Sequence, residues 1–258
     1  MIFETHAHYD DDRFNEDRDE LLRRLPREGV GVVINSGASV ESTRDTIRLA
    51  KEYEHVYAAV GVHPSEIEEL DEDFLQWMKE QTDWEKTVAI GEIGLDYYWD
   101  KEPEVQERQR YWFGRQIELA RETGLPIIVH SRDAAADTMQ VMKEHHAEEI
   151  PGVIHCFSYS REMALEFVKM GYYIGVGGVV TFKNAKKLVE TVEAIPLERI
   201  LLETDCPYMT PDPYRGKRND STYLIYVRDK IAEIKGISPE EAEKVTEANA
   251  RSLFTRVK

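Results

Sequence analysis

The sequence predicts an α/β protein of the (β/α)8 TIM-barrel class. Short runs rich in β-branched residues alternate with longer amphipathic segments, which is typical of a parallel sheet covered by helices. There are eight such runs, and 258 residues is the length that eight strand–helix units need. An open doubly wound sheet is the competing layout, but it usually has fewer strands and often a G-x-G-x-x-G loop after the first one, which this sequence lacks.

The predicted strands are spread over the whole chain. They are the opening MIFETHAH and residues 30–37, 56–64, 87–96, 125–132, 152–158, 172–180 and 199–208. Helical periodicity predicts helices over 39–53, 66–81, 103–123, 133–149, 221–235 and 238–257. Gly124 stands where the glycine at the end of the 103–123 helix belongs. No linker, repeat or low-complexity tract divides the chain, so we expect one domain over residues 1–258.

Composition narrows the class of protein. Hydrophobic residues make up 41 % and charged residues 32 %, which favours a folded core over disorder. No apolar run approaches the roughly 20 residues of a membrane-spanning helix, and no signal peptide is visible, so we expect a cytoplasmic protein with no membrane association. Cys156 and Cys206 give no disulfide framework. The net charge of −17 argues against a broad basic surface for duplex nucleic acid, but not against a polyanion neutralised locally by bound cations.

Histidines and carboxylates cluster at the predicted carboxyl ends of the strands, where the catalytic groups of such barrels lie. His6 and His8 would share one face of the first strand, because side chains two residues apart point the same way. The others are His63 on the third strand, Glu92 on the fourth, His130 on the fifth, His155 on the sixth and Asp205 on the eighth. A lone histidine at a strand end is usually hydrogen-bonded or exposed, but this set predicts a metal site.

Divalent cations would remove the cost of burying several carboxylates together. Zn²⁺, Mn²⁺, Co²⁺ and Mg²⁺ all suit imidazole and carboxylate ligands. Six of these groups, all except His63, suit two ions sharing a carboxylate. Glu92, flanked by glycines, is the predicted bridge. Asp205 is the predicted general base, which takes a proton from the attacking water. Cys156 and Cys206 each follow a predicted ligand, so strand alternation turns both away from the metals.

With these residues in place, the sequence resembles the TatD family of metal-dependent hydrolases. The resemblance covers essentially the full chain and rests on motifs that occur in order: THAH, GVHP, GEIGLDYY, GLPIIVHSRDA, IHCFS, GVVTFKNA and LLETDCPYMTPDPYRGKRN. It implies a (β/α)8 fold with two divalent metals. It places His6, His8, Glu92 and Asp205 on one ion and Glu92, His130 and His155 on the other. It also implies a magnesium-dependent deoxyribonuclease, with 3′–5′ exonuclease activity in some members.

Two positions depart from the family pattern. Glu4 stands where family members usually have Asp, and we expect it to accept a hydrogen bond from a metal ligand. Tyr159 stands where they usually have Gly, and it would narrow the mouth of the site or offer a face for base stacking. Both departures bear on substrate preference more than on metal binding.

The predicted reaction is phosphodiester hydrolysis, with several candidate substrate contacts. His63 would bind phosphate or assist the leaving group, unless it is a buried and satisfied histidine. Arg132 would contact phosphate, unless it pairs with Asp133. Arg215, Lys217 and Arg218 form a local basic loop that would guide a phosphate chain, unless the loop is simply solvated. Tyr97, with Tyr98 and Trp99, would stack on unpaired bases or pack between loops.

Two other classes of function stay open at this point. The same metals would serve an amidohydrolase or a deacylase that cleaves C–N or carboxylic ester bonds. A barrel that binds nucleic acid with metal but does not turn it over is the non-enzymatic alternative. DNA or another phosphodiester is the expected partner, and no obligate protein partner can be inferred.

Overall fold

A computed structural model describes the whole chain, Met1 to Lys258. Eight parallel strands form a single sheet in which each strand pairs with the next along the sequence. They are β1 (Ile2–Ala7), β2 (Val30–Ser36), β3 (Val56–Val60), β4 (Thr87–Asp96), β5 (Ile127–Arg132), β6 (Gly152–Ile154), β7 (Tyr173–Val176) and β8 (Ile200–Leu202). A parallel bridge between Ala7 and Cys206 brings the two edges of the sheet together. The predicted (β/α)8 barrel is confirmed.

Helices follow the strands and cover the outside of the barrel. They are α1 (Arg18–Arg24), α2 (Val40–Glu52), α3 (Glu72–Gln81), α4 (Pro103–Thr123), α5 (Ala135–Glu144), α6 (Arg161–Lys169), α7 (Lys186–Ala194), α8 (Leu224–Lys235) and α9 (Pro239–Leu253). The helix predicted over 103–123 has the predicted bounds, and Gly124 ends it in the left-handed conformation with φ of 67°. The helix predicted over 66–81 is wrong at its start, because Pro64–Glu69 forms a separate 3-10 turn before α3. None of the helices combines the length and the apolar character needed to cross a membrane.

The amino end of the barrel is closed by the end of the chain. The interior cluster contains Phe3, Ile34 and Leu201 from the strands together with Phe254 and Val257, which follow α9. The rings of Phe3 and Phe254 stack with centroids 5.9 Å apart. Arg256 donates to the carbonyl oxygens of Thr82 and Thr87, which ties this segment to the start of β4. The predicted site residues lie at the opposite, carboxyl end of the barrel.

Most strands end earlier than predicted, and this changes where the predicted site residues lie. Because β3, β6 and β8 end at Val60, Ile154 and Leu202, the residues His63, His155 and Asp205 belong to the loops that follow these strands. Glu92 does not end its strand: β4 continues to Asp96, because its last residues pair with the end of β5, Asp96 opposite Arg132. All of these residues still lie at the carboxyl half of the barrel.

Candidate metal centre

The two histidines at the start of the chain present their rings to the same space. Their Nε2 atoms lie 3.0 Å apart, and the rings meet edge to face with centroids separated by 4.8 Å. His6 is fully buried and His8 nearly so. The shared face predicted from their spacing is therefore present.

The carboxylate of Glu92 lies between two sets of imidazoles. Its Oε2 is 3.3 Å from the Nε2 atoms of both His6 and His8. Its Oε1 is 2.7 Å from His155 Nε2 and 2.8 Å from His130 Nδ1. Each oxygen thus faces its own pair of ring nitrogens, which is the arrangement expected of a carboxylate shared by two cations.

Asp205 completes the set on the side of the first two histidines. Its Oδ1 lies 3.5 Å from His8 Nε2 and 3.7 Å from His6 Nε2. The backbone of Asp205 is left-handed, with φ of 57°, and its amide donates to the carbonyl of His6, which turns the side chain into the site. Burial opposes ionisation of Asp205, but the hydrogen bond from His8 and the nearby imidazoles outweigh it and lower the pKa. All six predicted ligands are therefore brought to one place.

Neighbouring hydrogen-bond acceptors fix the orientation of two of the histidine rings, His8 and His130. His8 Nδ1 donates to the carbonyl oxygen of Ser36 at 2.9 Å, and His130 Nε2 donates to Asp96 Oδ2 at 3.1 Å. When each ring is neutral, its other nitrogen, His8 Nε2 or His130 Nδ1, is free to bind a cation beside Glu92, as in metal-binding histidines held by a second acceptor. The sequence analysis missed Asp96, although it lies four residues after Glu92 and ends the same strand.

The donors around Glu92 fit divalent cations. No Lys or Arg nitrogen lies within 4 Å of a Glu92 or Asp205 oxygen; the partners of both carboxylates are imidazoles. Burial lowers the pKa of His130, but the hydrogen bonds to Asp96 and Glu92 outweigh burial and raise it to about 9. A pocket that favours a protonated imidazole stabilises positive charge, and a cation supplies that charge without a proton. Three groups of side chains have ligand atoms within 4.8 Å of one another and are able to hold metal: His6–Glu92–His155, His6–His8–Asp205 and His63–Glu92–His130.

His63 is oriented differently from the predicted ligands. It lies at the start of the 3-10 turn after β3, and its Nδ1 accepts a hydrogen bond from the amide of Ser65. Its Nε2, 3.7 Å from Glu92 Oε1, therefore carries the proton of the neutral ring. Burial lowers the pKa of His63 to about 3, which favours this neutral form. His63 thus presents an N–H donor to the site.

A second buried carboxylate, Glu203, was also missed by the sequence analysis. Its Oε1 accepts from the amide of Cys156 and lies 3.8 Å from His155 Nδ1, which has no hydrogen-bond partner. A Cβ at Gly175 would come within 2.3 Å of Glu203 Oε2, so the glycine leaves the room that this carboxylate occupies. Burial raises the pKa of Glu203 to about 7. Its position two residues before Asp205 was the signal in the sequence.

Some of the predicted substrate contacts have an ion-pair or hydrogen-bond partner within the protein, and others have none. The guanidinium of Arg132 makes no ion pair, with Asp133 or any other residue, and lies 3.9 Å from the ring of Tyr98. Arg215 and Lys217 are exposed and also unpaired, and Arg215 lies 4.2 Å above the ring of Phe182.

The polar groups of Arg218 and Tyr97, in contrast, have partners within the protein. Arg218 makes a two-fold ion pair with Asp17 at 2.6 and 2.7 Å. The Tyr97 hydroxyl donates to Asp137 at 2.8 Å and accepts from Arg110. Arg218 therefore holds the basic loop to the start of α1, and Tyr97 packs between α4 and α5. The phosphate contact of Arg218 and the base stacking of Tyr97 stay predictions.

The two departures from the family pattern have structural roles of their own. Glu4 is fully buried and accepts from the amides of His6 and Thr204 and from the hydroxyls of Thr204 and Ser221. It therefore holds the backbone of a predicted ligand, whereas the ring of His6 has Ser36 Oγ as its neighbour at 3.2 Å. The Tyr159 hydroxyl contacts Ser131 Oγ and accepts from the amide of Ala134, which fixes the loop after β5.

The cysteines lie beside the site. Cys206 is fully buried in the core, and Cys156 is half-buried with a left-handed backbone. Neither belongs to a group of side chains able to hold a metal ion.

Comparison with known proteins places this fold and site in a family. The model of the family described as TatD related DNase matches residues 3–255. A Bacillus subtilis protein named uncharacterized metal-dependent hydrolase YabD is 45 % identical over 98 % of this chain and 99 % of its own length. The crystal structure of the TatD homologue YjjV from Escherichia coli superposes with a TM-score of 0.91 at 33 % identity, covering 98 % of each chain. The fold and the histidine–carboxylate cluster define a metal-dependent hydrolase, and the chain belongs to the TatD family of these enzymes.

Proposed function

We propose that this protein is a divalent-metal-dependent phosphodiesterase that acts on DNA, as a 3′–5′ exonuclease on single strands. The observation that carries the proposal is the position of Glu92, whose two oxygens face separate pairs of imidazole nitrogens. A carboxylate shared by two ions is typical of enzymes that displace phosphoryl oxygens, nucleases among them. The description of the family as DNase supports DNA as the substrate.

The six clustered side chains divide into two ligand sets. His6, His8, Glu92 and Asp205 would hold one ion, and Glu92, His130 and His155 the other. Bound there, Mg²⁺, Mn²⁺, Zn²⁺ or Co²⁺ supplies Lewis acidity, which polarises a phosphoryl oxygen and lowers the pKa of water.

Asp205 is the general base of the proposal. Its side chain is 17 % exposed, whereas that of Glu92 is 5 % exposed, so Asp205 is the more accessible of the two to a water molecule from solvent. Its lowered pKa keeps it ionised and able to accept a proton. The proton that it takes comes from the water that attacks phosphorus.

The remaining polar groups bind the phosphodiester. His63 donates its Nε2 hydrogen to a phosphate oxygen or to the departing oxygen. Arg132, which has no carboxylate partner, holds a phosphate near the rim. Arg215 and Lys217 lie in the loop that follows Asp205 and attract the neighbouring phosphates of the chain.

The test is product analysis on end-labelled single-stranded oligonucleotides with Mg²⁺, Mn²⁺, Zn²⁺ and Co²⁺ in turn. We expect stepwise shortening from the 3′ end that stops when a chelator is added. Asp205→Asn should lower the rate by about 10² to 10⁴-fold, because it removes the proton acceptor. Asp83→Asn, at an exposed aspartate after α3, is the matched control and should leave the rate unchanged.

Metal binding is measured in parallel. This separates variants that bind metal but no longer catalyse from variants that no longer bind metal. Glu92→Gln should weaken Mn²⁺ binding at both positions in a calorimetric titration, while Glu20→Gln, at an exposed glutamate without a partner, should not.

Assays with acyl and amide substrates distinguish the proposed phosphodiesterase from an amidohydrolase or deacylase. Turnover of acyl or amide substrates alone would support an amidohydrolase or deacylase, and oligonucleotide binding without cleavage would support a binding module. Either result would overturn the phosphodiesterase assignment.

A further inference from the structure

Two large aromatic side chains are exposed immediately after β4, beside the metal centre. Tyr98 is 43 % exposed and Trp99 is 67 % exposed, and their rings meet edge to face with centroids 4.7 Å apart. Exposed aromatic side chains that adjoin one another and a site often mark a binding surface, whereas single exposed hydrophobic residues need no explanation.

Arg132 extends this surface with a cation. Its guanidinium carbon lies 3.9 Å from the centre of the Tyr98 ring and 5.6 Å from that of Trp99. It lies at the end of β5, two residues after His130, and no carboxylate neutralises it. The three side chains, which we call the stacking surface, therefore combine two π-faces with a free positive charge.

Asp96 ties the turn that carries Tyr98 and Trp99 to His130 of the candidate metal centre. One oxygen of Asp96, Oδ1, accepts from the amides of Tyr98 and Trp99 at 2.9 and 3.1 Å, while the other accepts from His130. The turn is secured further by Gln109, which donates to the Asp96 carbonyl and to Asp100 Oδ2. A turn fixed in this way loses little backbone conformational entropy when a ligand binds.

We propose that the stacking surface binds one unpaired nucleobase next to the phosphate that is cleaved. Aromatic rings and guanidinium planes stack on bases of any sequence, and the charge of Arg132 favours a nucleotide over a neutral aromatic ligand. A base within a duplex is already stacked and paired, so the surface selects strand ends that are free or melted. This inference rests on the proposed function and adds a substrate feature, the base, to the phosphodiester that the metals would act on.

The test compares a thymidine oligonucleotide with a strand of the same length built from tetrahydrofuran abasic residues. Both have the same phosphates, so the ratio of their kcat/KM values reports the contribution of the base. We expect Trp99→Ala to lower the thymidine-to-abasic ratio by about 5- to 100-fold, the range expected for losing one stacked base. Trp99→Phe, which keeps a π-face, should restore most of the ratio.

Tyr111→Ala is the matched control, because Tyr111 is 55 % exposed on α4 and lies outside the stacking surface. It should leave both rates and their ratio unchanged. If Trp99→Ala slows both substrates equally, or leaves the ratio of the unsubstituted protein intact, the stacking surface does not bind a base. If the unsubstituted protein cleaves neither strand with any metal, the proposed function fails and the subsite fails with it. Cleavage of both strands at equal rates contradicts the subsite alone.

Discussion

The carboxylate of Asp96 and the imidazole of His130 are joined by a hydrogen bond of 3.1 Å to His130 Nε2. This contact places the ring proton away from the cluster and leaves Nδ1 facing Glu92. A predicted metal ligand is thereby oriented by Asp96, a residue that does not itself contact Glu92.

Loss of the Asp96 carboxylate should weaken the metal centre without removing a ligand. Asp96→Asn keeps the shape of the side chain but not the charge that holds His130, so we expect metal affinity or activity to fall by about 10- to 100-fold. Calorimetric titration with Mn²⁺ measures the affinity. Asp137→Asn is the control, since this carboxylate binds Tyr97 and Arg110 but no histidine of the cluster. Equal losses in the two variants would show that Asp96 acts only on general stability.

The two basic residues in the loop after β8 should determine how steeply salt weakens the binding of DNA. Arg215 and Lys217 are unpaired, so each phosphate that they neutralise releases a counterion. Replacing either with Gln should reduce the slope of log affinity against log salt by about 0.7 for a single strand. Lys244→Gln, an exposed lysine without a partner on α9, should leave the slope unchanged. Fluorescence anisotropy with a labelled oligonucleotide at several salt concentrations gives the slopes; identical slopes in all the variants would remove these residues from the substrate path.

The closure of the barrel by Phe254 should be a major source of stability. Phe254 is fully buried, and Phe254→Ala should lower the free energy of unfolding by about 3–5 kcal/mol through lost contacts and a cavity. Urea unfolding followed by circular dichroism measures the change. Ile225→Ala, at an exposed position on α8, should change it by only about 0.5 kcal/mol or less. A small effect at Phe254 would mean that the barrel interior does not depend on this ring.

His55 should make stability fall as the solution becomes acidic. It is half-buried beside a cleft of about 480 Å³ at the amino end, and burial lowers its pKa below the ordinary 6.5. The folded chain therefore binds fewer protons here than the unfolded chain. The stability from His55 is fully present above pH 6.5 and is lost as the pH falls through the folded-state pKa. Between about pH 7.5 and about pH 5.5, the free energy of unfolding should therefore fall less in His55→Gln than in the unsubstituted protein. A difference between the two proteins that is the same at both pH values would contradict this prediction.

Strand periodicity accounts for what the sequence predicted well. Residues at the carboxyl ends of parallel strands must meet at one rim. The sequence alone therefore predicts the convergence of His6, His8, Glu92, His130, His155 and Asp205. The number and order of the strands followed from the same alternation of short apolar runs and amphipathic segments.

Contacts between distant loops could not be read in this way. Arg218 binds Asp17, 201 residues away, and local composition cannot show which of several acids a basic residue will meet. Tyr97 and Trp99 are neighbours in one aromatic run, yet only the path of the turn decides that one packs inward and the other faces solvent. Asp96 ends the strand predicted over 87–96, but nothing in the local sequence shows that its carboxylate meets the ring of His130 on the next strand.

The position of Phe254 and Val257 in the barrel interior also has a consequence for synthesis. A ribosome makes these residues after every strand. Phe3, Ile34 and Leu201 therefore stay exposed to water at the amino end of the barrel until Phe254 and Val257 pack against them. Closure of the barrel interior is therefore a late step in folding, and the apolar surface exposed before it makes the incomplete chain prone to aggregation.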